Sequence, residues 1–229
     1  GPVDEYASSI RQTSDGGYIF VGATDSYGSG GWDIYLVKTN ANGDTLWTRT
    51  YGGTLVEGGI GSTRTSIEQT FDGGYIIGGY TTSFGAGGTD AYLIKIDASG
   101  NVLWSKTYGG AGSELIYDVK QCADSGYVFT GYTSSFGGGS TDIYLVRTNA
   151  VGDTLFTRCY GDLLNDYGQG VIENPDKGFA ICGYTNNFGS GNNDGILLKT
   201  DSMGNTACYQ YNTNTVVGSA LTQSGTTTT

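Results

Sequence analysis

Four aspartates, Asp33, Asp90, Asp142 and Asp194, each follow a glycine-rich stretch and open an apolar run. A carboxylate in that position has two uses. It can bind calcium together with nearby carbonyls, since calcium takes oxygen donors. It can also cap the loop by accepting local backbone N–H groups. A residue that recurs in every copy of a repeated unit usually serves the unit itself. Three further acids, Glu5, Glu114 and Asp166, fall at matching places ahead of another strand, with Ser62 standing there in the remaining copy. Tyr27, Phe84, Phe136 and Phe188 recur in the glycine-rich loops. Rings there either plug the fold from below or offer a platform to sugar rings.

The missing chemistry narrows the field. The chain has no histidine, which removes the Ser-His-Asp triad, the Cys-His dyad and the imidazole zinc site. There is no Gly-x-Ser-x-Gly elbow and no Walker loop, and Gly28-Ser29-Gly30-Gly31 lacks the spacing of a dinucleotide site. Nothing in the sequence selects a carboxylate pair for glycoside hydrolysis. Cys122, Cys159, Cys182 and Cys208 all lie in the second half, without Cys-x-x-Cys spacing. Three disulfide connectivities are open to them. A Cys182–Cys208 bridge would pin the last unit; free buried thiols are the other reading.

Those residues need a scaffold, and the composition specifies one. The 229 residues carry 11 Lys+Arg against 22 Asp+Glu, so 11 − 22 = −11. That charge disfavours nucleic acid and anionic membrane as partners. Glycine numbers 41 and proline 2, without a Gly-X-Y period, so collagen is excluded. At 37% hydrophobic and 13% aromatic the chain has too much apolar surface for disorder. Abundant Tyr, Thr, Val and Ile favour strands. No run reaches the ~18 apolar residues of a membrane helix. Few lysines, many small polar residues and a Thr-rich end suggest a secreted or cell-surface protein. The start at Gly1-Pro2 reads as that of a processed product or a protease scar.

The dominant signal is an internal repeat. Asp15-Gly16-Gly17-Tyr18 returns at Asp72, Asp124 and Asp176, with steps 72 − 15 = 57, 124 − 72 = 52 and 176 − 124 = 52. The loop aromatics, the Asp-x-x-Leu-x-Lys/Arg runs and the Leu-Trp/Phe-Thr/Ser runs keep the same order. Repeats therefore span about 1–53, 54–110, 111–162 and 163–212, followed by a polar tail or linker, 213–229. The five extra residues of the first step fall between Tyr51 and Asp72. Each unit reads as four strands, at 8–13, 18–23, 33–39 and 45–51 in the first, joined by tight glycine turns and one glycine-rich loop. Near-continuous apolar runs in the second and third strands call for cover on both sheet faces. The expected fold is all-β: a β-propeller of about four four-stranded antiparallel blades, complete or part of a larger ring or assembly. A β-solenoid is the runner-up. Trp47, Trp104 and Phe156 would fill the gaps between blades.

The pattern Gln-Thr-x-Asp-Gly-Gly-Tyr, Ser-Phe-Gly-x-Gly-Gly-x-Asp-x-Tyr-Leu-x-Lys and Leu-Trp-x-Lys-Thr-Tyr-Gly-Gly resembles the delta-60-like propeller repeats of secreted bacterial and archaeal surface proteins. The likeness covers residues 1 to about 211. It implies an extracellular propeller, often within a larger multidomain protein. The fourth repeat departs from it: Cys208 replaces the tryptophan, and Tyr-Gly-Gly is lost at Tyr211-Asn212-Thr213.

The expected function is non-catalytic recognition of a protein or glycan through the long-loop face. The alternative is a structural subunit of an extracellular layer or filament, joined by self-association. An enzyme of glycosidase or lyase type is a third class. No cofactor is called for beyond calcium at the recurring aspartates.

Overall fold

A computed structural model describes residues 1–59, 64–187, 191–207, 210–220 and 223–225. The described chain is all-β and builds four antiparallel sheets. The first holds β1 (Glu5–Gln12), β2 (Tyr18–Thr24), β3 (Asp33–Thr39) and β4 (Thr45–Gly52). The second holds β5 (Ser66–Gln69), β6 (Tyr75–Thr81), β7 (Asp90–Ile96) and β8 (Val102–Gly109). The third holds β9 (Glu114–Gln121), β10 (Tyr127–Thr133), β11 (Asp142–Thr148) and β12 (Thr154–Tyr160). The fourth has three strands, β13 (Asp166–Glu173), β14 (Phe179–Thr185) and β15 (Asp194–Lys199).

The turns explain why the strands pair in this register. At the first hairpin of each unit the aspartate accepts the N–H two residues on, as Asp15 does from Gly17 and Asp72 from Gly74, both at 3.0 Å. The residue between them adopts positive φ, which glycine takes without steric cost: 83° at Gly16 and 81° at Gly73. In the third and fourth units Ser125 and Lys177 hold the same conformation, at 69° and 67°.

Three apolar clusters lie between consecutive sheets. Ile19, Val21, Ile34 and Leu36 of the first sheet pack on Ile67, Tyr75, Ile77 and Tyr92 of the second. The second cluster joins Ile76, Ala91 and Leu93 to Val119, Tyr127, Phe129 and Tyr144. The third joins Val128, Ile143 and Leu145 to Val171, Phe179 and Ile181. The sheets thus stack in sequence order, each presenting a front face to its predecessor and a back face to its successor. Trp47 and Trp104 fill the joints as expected, edge-on to Tyr75 and Tyr127. The tyrosine ending each fourth strand bonds into the next sheet's turn: Tyr51, Tyr108 and Tyr160 donate to the carbonyls of Gly100, Gly152 and Gly204 at 2.8, 2.6 and 2.6 Å.

The end of the chain differs from the expected four-stranded unit and tail. The strand β16 (Gln210–Asn212) pairs with β12 of the third sheet, and among the described residues no fourth strand lies beside β15. In the sequence, Asn212 stands where Tyr51, Tyr108 and Tyr160 anchor the other units. Residues expected to form a tail or linker add β17 (Val216–Ser219) to β8 and β18 (Gln223–Gly225) to β4. The C-terminal segment therefore crosses the outer edges of the third, second and first sheets in turn.

Candidate binding surfaces

The recurring aspartates cap their loops. Asp33 accepts the N–H of Ser29 at 2.9 Å, Asp90 that of Gly87 at 3.2 Å, Asp142 that of Gly139 at 3.3 Å and Asp194 that of Gly191 at 3.3 Å. The first three are buried, and each faces a second buried acid: Asp33 meets Glu57, Asp90 meets Glu114, and Asp142 meets Asp166. The pairs close over Gly52, Gly109 and Gly161, where an added Cβ would collide with both carboxylates. Burial, with the like charge behind it, pushes Asp33 up to about 7 and Asp142 up to about 6; Asp90 and Asp166 are raised as well. The Oδ1 atoms of Asp90 and Asp142 have no hydrogen-bond partner. Calcium would need six to eight oxygens, and no group of three or more metal-ligating side chains occurs among the described residues. At Asp33, Asp90, Asp142 and Asp194, considered above for calcium, the geometry on view is that of loop caps. Sealed from solvent, the pairs also face no substrate.

The proposed ligand-face acids are interior or tied groups. Glu114 accepts the Thr133 hydroxyl at 2.6 Å and the Gly110 N–H at 2.8 Å. Asp166 accepts the Asn187 amide at 2.5 Å. Glu5 binds the N-terminal ammonium at 2.8 Å. In the second unit this role belongs to Glu57, which accepts Thr81 Oγ1 at 2.7 Å and Gly53 N–H at 2.6 Å. Ser62, assigned there by counting back from the next turn, lies outside the described residues. The spacing from the preceding glycine would have found Glu57, since 57 − 53 equals 114 − 110. The five-residue insertion therefore follows Glu57.

Of the loop aromatics, Phe84 and Phe136 are half-buried, while Tyr27 is exposed. Tyr27, Phe84 and Phe136 sit 6.3, 6.0 and 6.2 Å from Tyr35, Tyr92 and Tyr144. Phe84 and Phe136 also pack on the core clusters. Phe188 and Cys208 lie outside the described residues. Cys182 is an exposed free thiol, while Cys122 and Cys159 are buried free thiols.

Two surfaces that sequence reading missed are open. One is a groove of about 270 Å³ along the inner strands. Ser9 and Arg11 come from β1, and Ser66 from β5 with Arg64 and Thr65 just before it. Tyr117, Asp118 and Lys120 come from β9, and Gln169 from β13. Every sheet contributes. Asp118 ties the wall together, accepting from Ser66 Oγ at 3.1 Å and from Val171 N–H at 3.2 Å, and pairing with Lys120 at 3.1 Å. Beside Tyr117 runs a row of rings: Tyr117–Tyr132, Tyr132–Tyr167 and Tyr167–Tyr184 at 6.0, 5.2 and 4.7 Å.

The other surface is the pair of stack ends. Ile10 aligns with Ile67, Val119 and Val171; those three are 0–2% exposed and Ile10 is 58% exposed. Ala7, Ile10 and Phe20 line an apolar hollow of about 350 Å³ on this front face. On the fourth sheet's back face, Leu197 is 74% exposed where Leu36, Leu93 and Leu145 are fully buried. Neither a family model nor a curated protein matches this chain.

Proposed function

We propose that this chain is a non-catalytic building block of an extracellular assembly: four consecutive blades of a β-propeller that join further blades through the two ends of the stack. The single observation carrying this reading is the partly open front face of the first sheet, where Ile10 and Tyr18 are exposed, Phe20 and Tyr35 are half-buried and Val37 is buried. Tyr18, Phe20, Tyr35 and Val37 repeat, residue for residue, the types at Tyr127, Phe129, Tyr144 and Val146, which the second sheet covers. Apolar side chains in that register are made for a neighbouring sheet. The opposite end carries Ala180, Cys182 and Gly195 where the second sheet has Ile76, Gly78 and Ala91, small residues of the sort that receive Phe129. Extracellular placement rests on the delta-60-like repeat and the low lysine content.

The joint would be weaker than the internal ones. Ser14, Phe71 and Ala123 donate their N–H groups to Gln69, Gln121 and Glu173 of the next sheet at 2.8, 2.7 and 2.9 Å. Pro175 holds that position in the fourth unit and has no N–H to give. Reversible self-association is the expected behaviour. Light scattering should give a native mass that is a multiple of 24.0 kDa and that falls to one chain for Phe20→Glu. A wild-type mass of one chain at every concentration tested would reject the reading.

A further inference from the structure

The chain is strongly acidic, yet three of its 11 basic side chains, Arg11, Arg64 and Lys120, gather in the inner groove. Their local partners leave charge uncompensated. Lys120 is balanced by Asp118 and Glu68, at 3.1 and 3.2 Å. Among the described residues Arg11 bonds to neutral oxygens, the Ser9 hydroxyl and the Ile10 carbonyl. Arg64 is exposed and makes no ion pair with any described residue. It lies close enough to Tyr117 for its charge to act on the phenol. Thr65, along the groove, is 1% exposed, and its hydroxyl, beside Gly58 and Gly79, has no hydrogen-bond partner. An unpaired buried hydroxyl is costly unless something fills its hydrogen bond.

We propose that this groove binds an acidic sugar, a uronic acid unit of a glycan, with its carboxylate held by Arg64 and Arg11. A guanidinium presents a planar fork that matches a carboxylate. Thr65, Ser9, Ser66 and Gln169 line the groove with hydroxyl and amide groups that suit sugar hydroxyls, and Tyr117 offers a ring against which a pyranose can lie. An acidic peptide would share the charge contact but would leave the buried hydroxyl and the ring unused. The proposal goes beyond the building-block reading and does not need it: ligand binding and native mass are separate measurements.

The test is calorimetric titration of the full chain with an oligogalacturonate, beside the neutral oligogalactose of equal length and an oligoglutamate of equal charge. Oligogalacturonate alone should bind, more weakly as salt rises. Arg64→Ala should weaken it at least tenfold, with Arg64→Lys intermediate; the Arg64 side chain is exposed, and an unchanged circular dichroism spectrum would certify the fold. Thr65→Val should weaken it less. The proposal is overturned if oligogalacturonate does not bind, if Arg64→Ala binds it as wild type does, or if oligoglutamate binds equally well.

Discussion

The middle and the ends of the stack are written in nearly the same residues and meet different fates. Lys38, Lys95 and Arg147 each bridge to the hairpin aspartate of their own sheet, at 2.8, 2.9 and 2.6 Å, and their side chains are only 4–7% exposed. Lys199 makes the same bridge to Asp176, yet its side chain is 62% exposed; among the described residues neither a fourth strand nor a following sheet covers it. An ion pair left in water is worth little. The sequence of a unit therefore fixes its strands and turns, while its stability depends on whether a neighbour is present.

The largest test of that contrast is a matched truncation. Phe129 and Phe20 hold the same place in the third and first units, one buried in a joint and the other on the open face. Phe129→Ala should cost about 3–5 kcal/mol of unfolding free energy, the range for emptying a packed aromatic site. Phe20→Ala should cost about 1 kcal/mol or less in the dissociated chain, since little packing is lost there. Denaturant titration of both variants at low protein concentration reads the difference; equal losses would mean that the first sheet is covered.

Acidity separates the joints from the ends in a second way. Asp33 and Asp142 keep a proton in the folded state up to about 7 and about 6, because burial beside a second acid disfavours the charge. The unfolded chain releases the same protons near pH 4. The folded state thus binds more protons between those limits, and stability should fall as pH rises from about 4 to about 7. The hairpin aspartates act below that window. Despite partial burial, hydrogen bonds from Thr70 and Lys95 hold Asp72 down at about 2, so its contribution is lost only in stronger acid. Asp142→Asn should flatten the slope, since the amide still accepts from Gly139 and can donate to Asp166 at every pH. Melting temperatures from pH 4 to 8 check this; an unchanged slope in the variant would place the proton elsewhere.

The ends can also be joined chemically. At the joint between the second and third sheets, a Cβ on Gly78 would lie 3.4 Å from that of Val119. Disulfides bridge Cβ atoms about 3.5–4.5 Å apart. Cys182 occupies the Gly78 position in the fourth unit, and Ile10 the Val119 position in the first. If a second copy seats its fourth sheet on the first, Ile10→Cys should form a covalent dimer under mild oxidation, visible on a non-reducing gel and abolished by Cys182→Ser. Failure to cross-link would argue against the head-to-tail register.

Much of this architecture is legible in the residues. The hairpin glycines, the recurring aspartates and the apolar runs place the strands of the first three units to within a few positions, because local turn geometry and period leave little choice. Other parts are not local. Glu57 escaped because counting back from the next turn put the insertion on its wrong side. Strands β16 to β18 are only three or four residues long and draw their register from the edges they join, as when Val216 faces Gly109. The inner groove is formed by polar faces of four separate strands, none of which announces a site alone.

The smallest effect concerns the turns themselves. Ser125 and Lys177 adopt positive φ where Gly16 and Gly73 show that glycine fits. A side chain in that conformation costs about 1–2 kcal/mol, partly offset by the greater freedom of glycine when unfolded, so each replacement by glycine should gain about 1 kcal/mol or less. The two gains should appear in different places. Ser125 lies in a sheet held on both faces, so Ser125→Gly should raise the midpoint of the whole unfolding transition. Lys177 lies in the end sheet, which can open without its neighbours. Lys177→Gly should slow hydrogen exchange in β13 and β14 while leaving exchange in β6 and β7 unchanged. If both variants instead shift every sheet equally, the stack unfolds as one unit, and the contrast between middle and ends is one of packing alone.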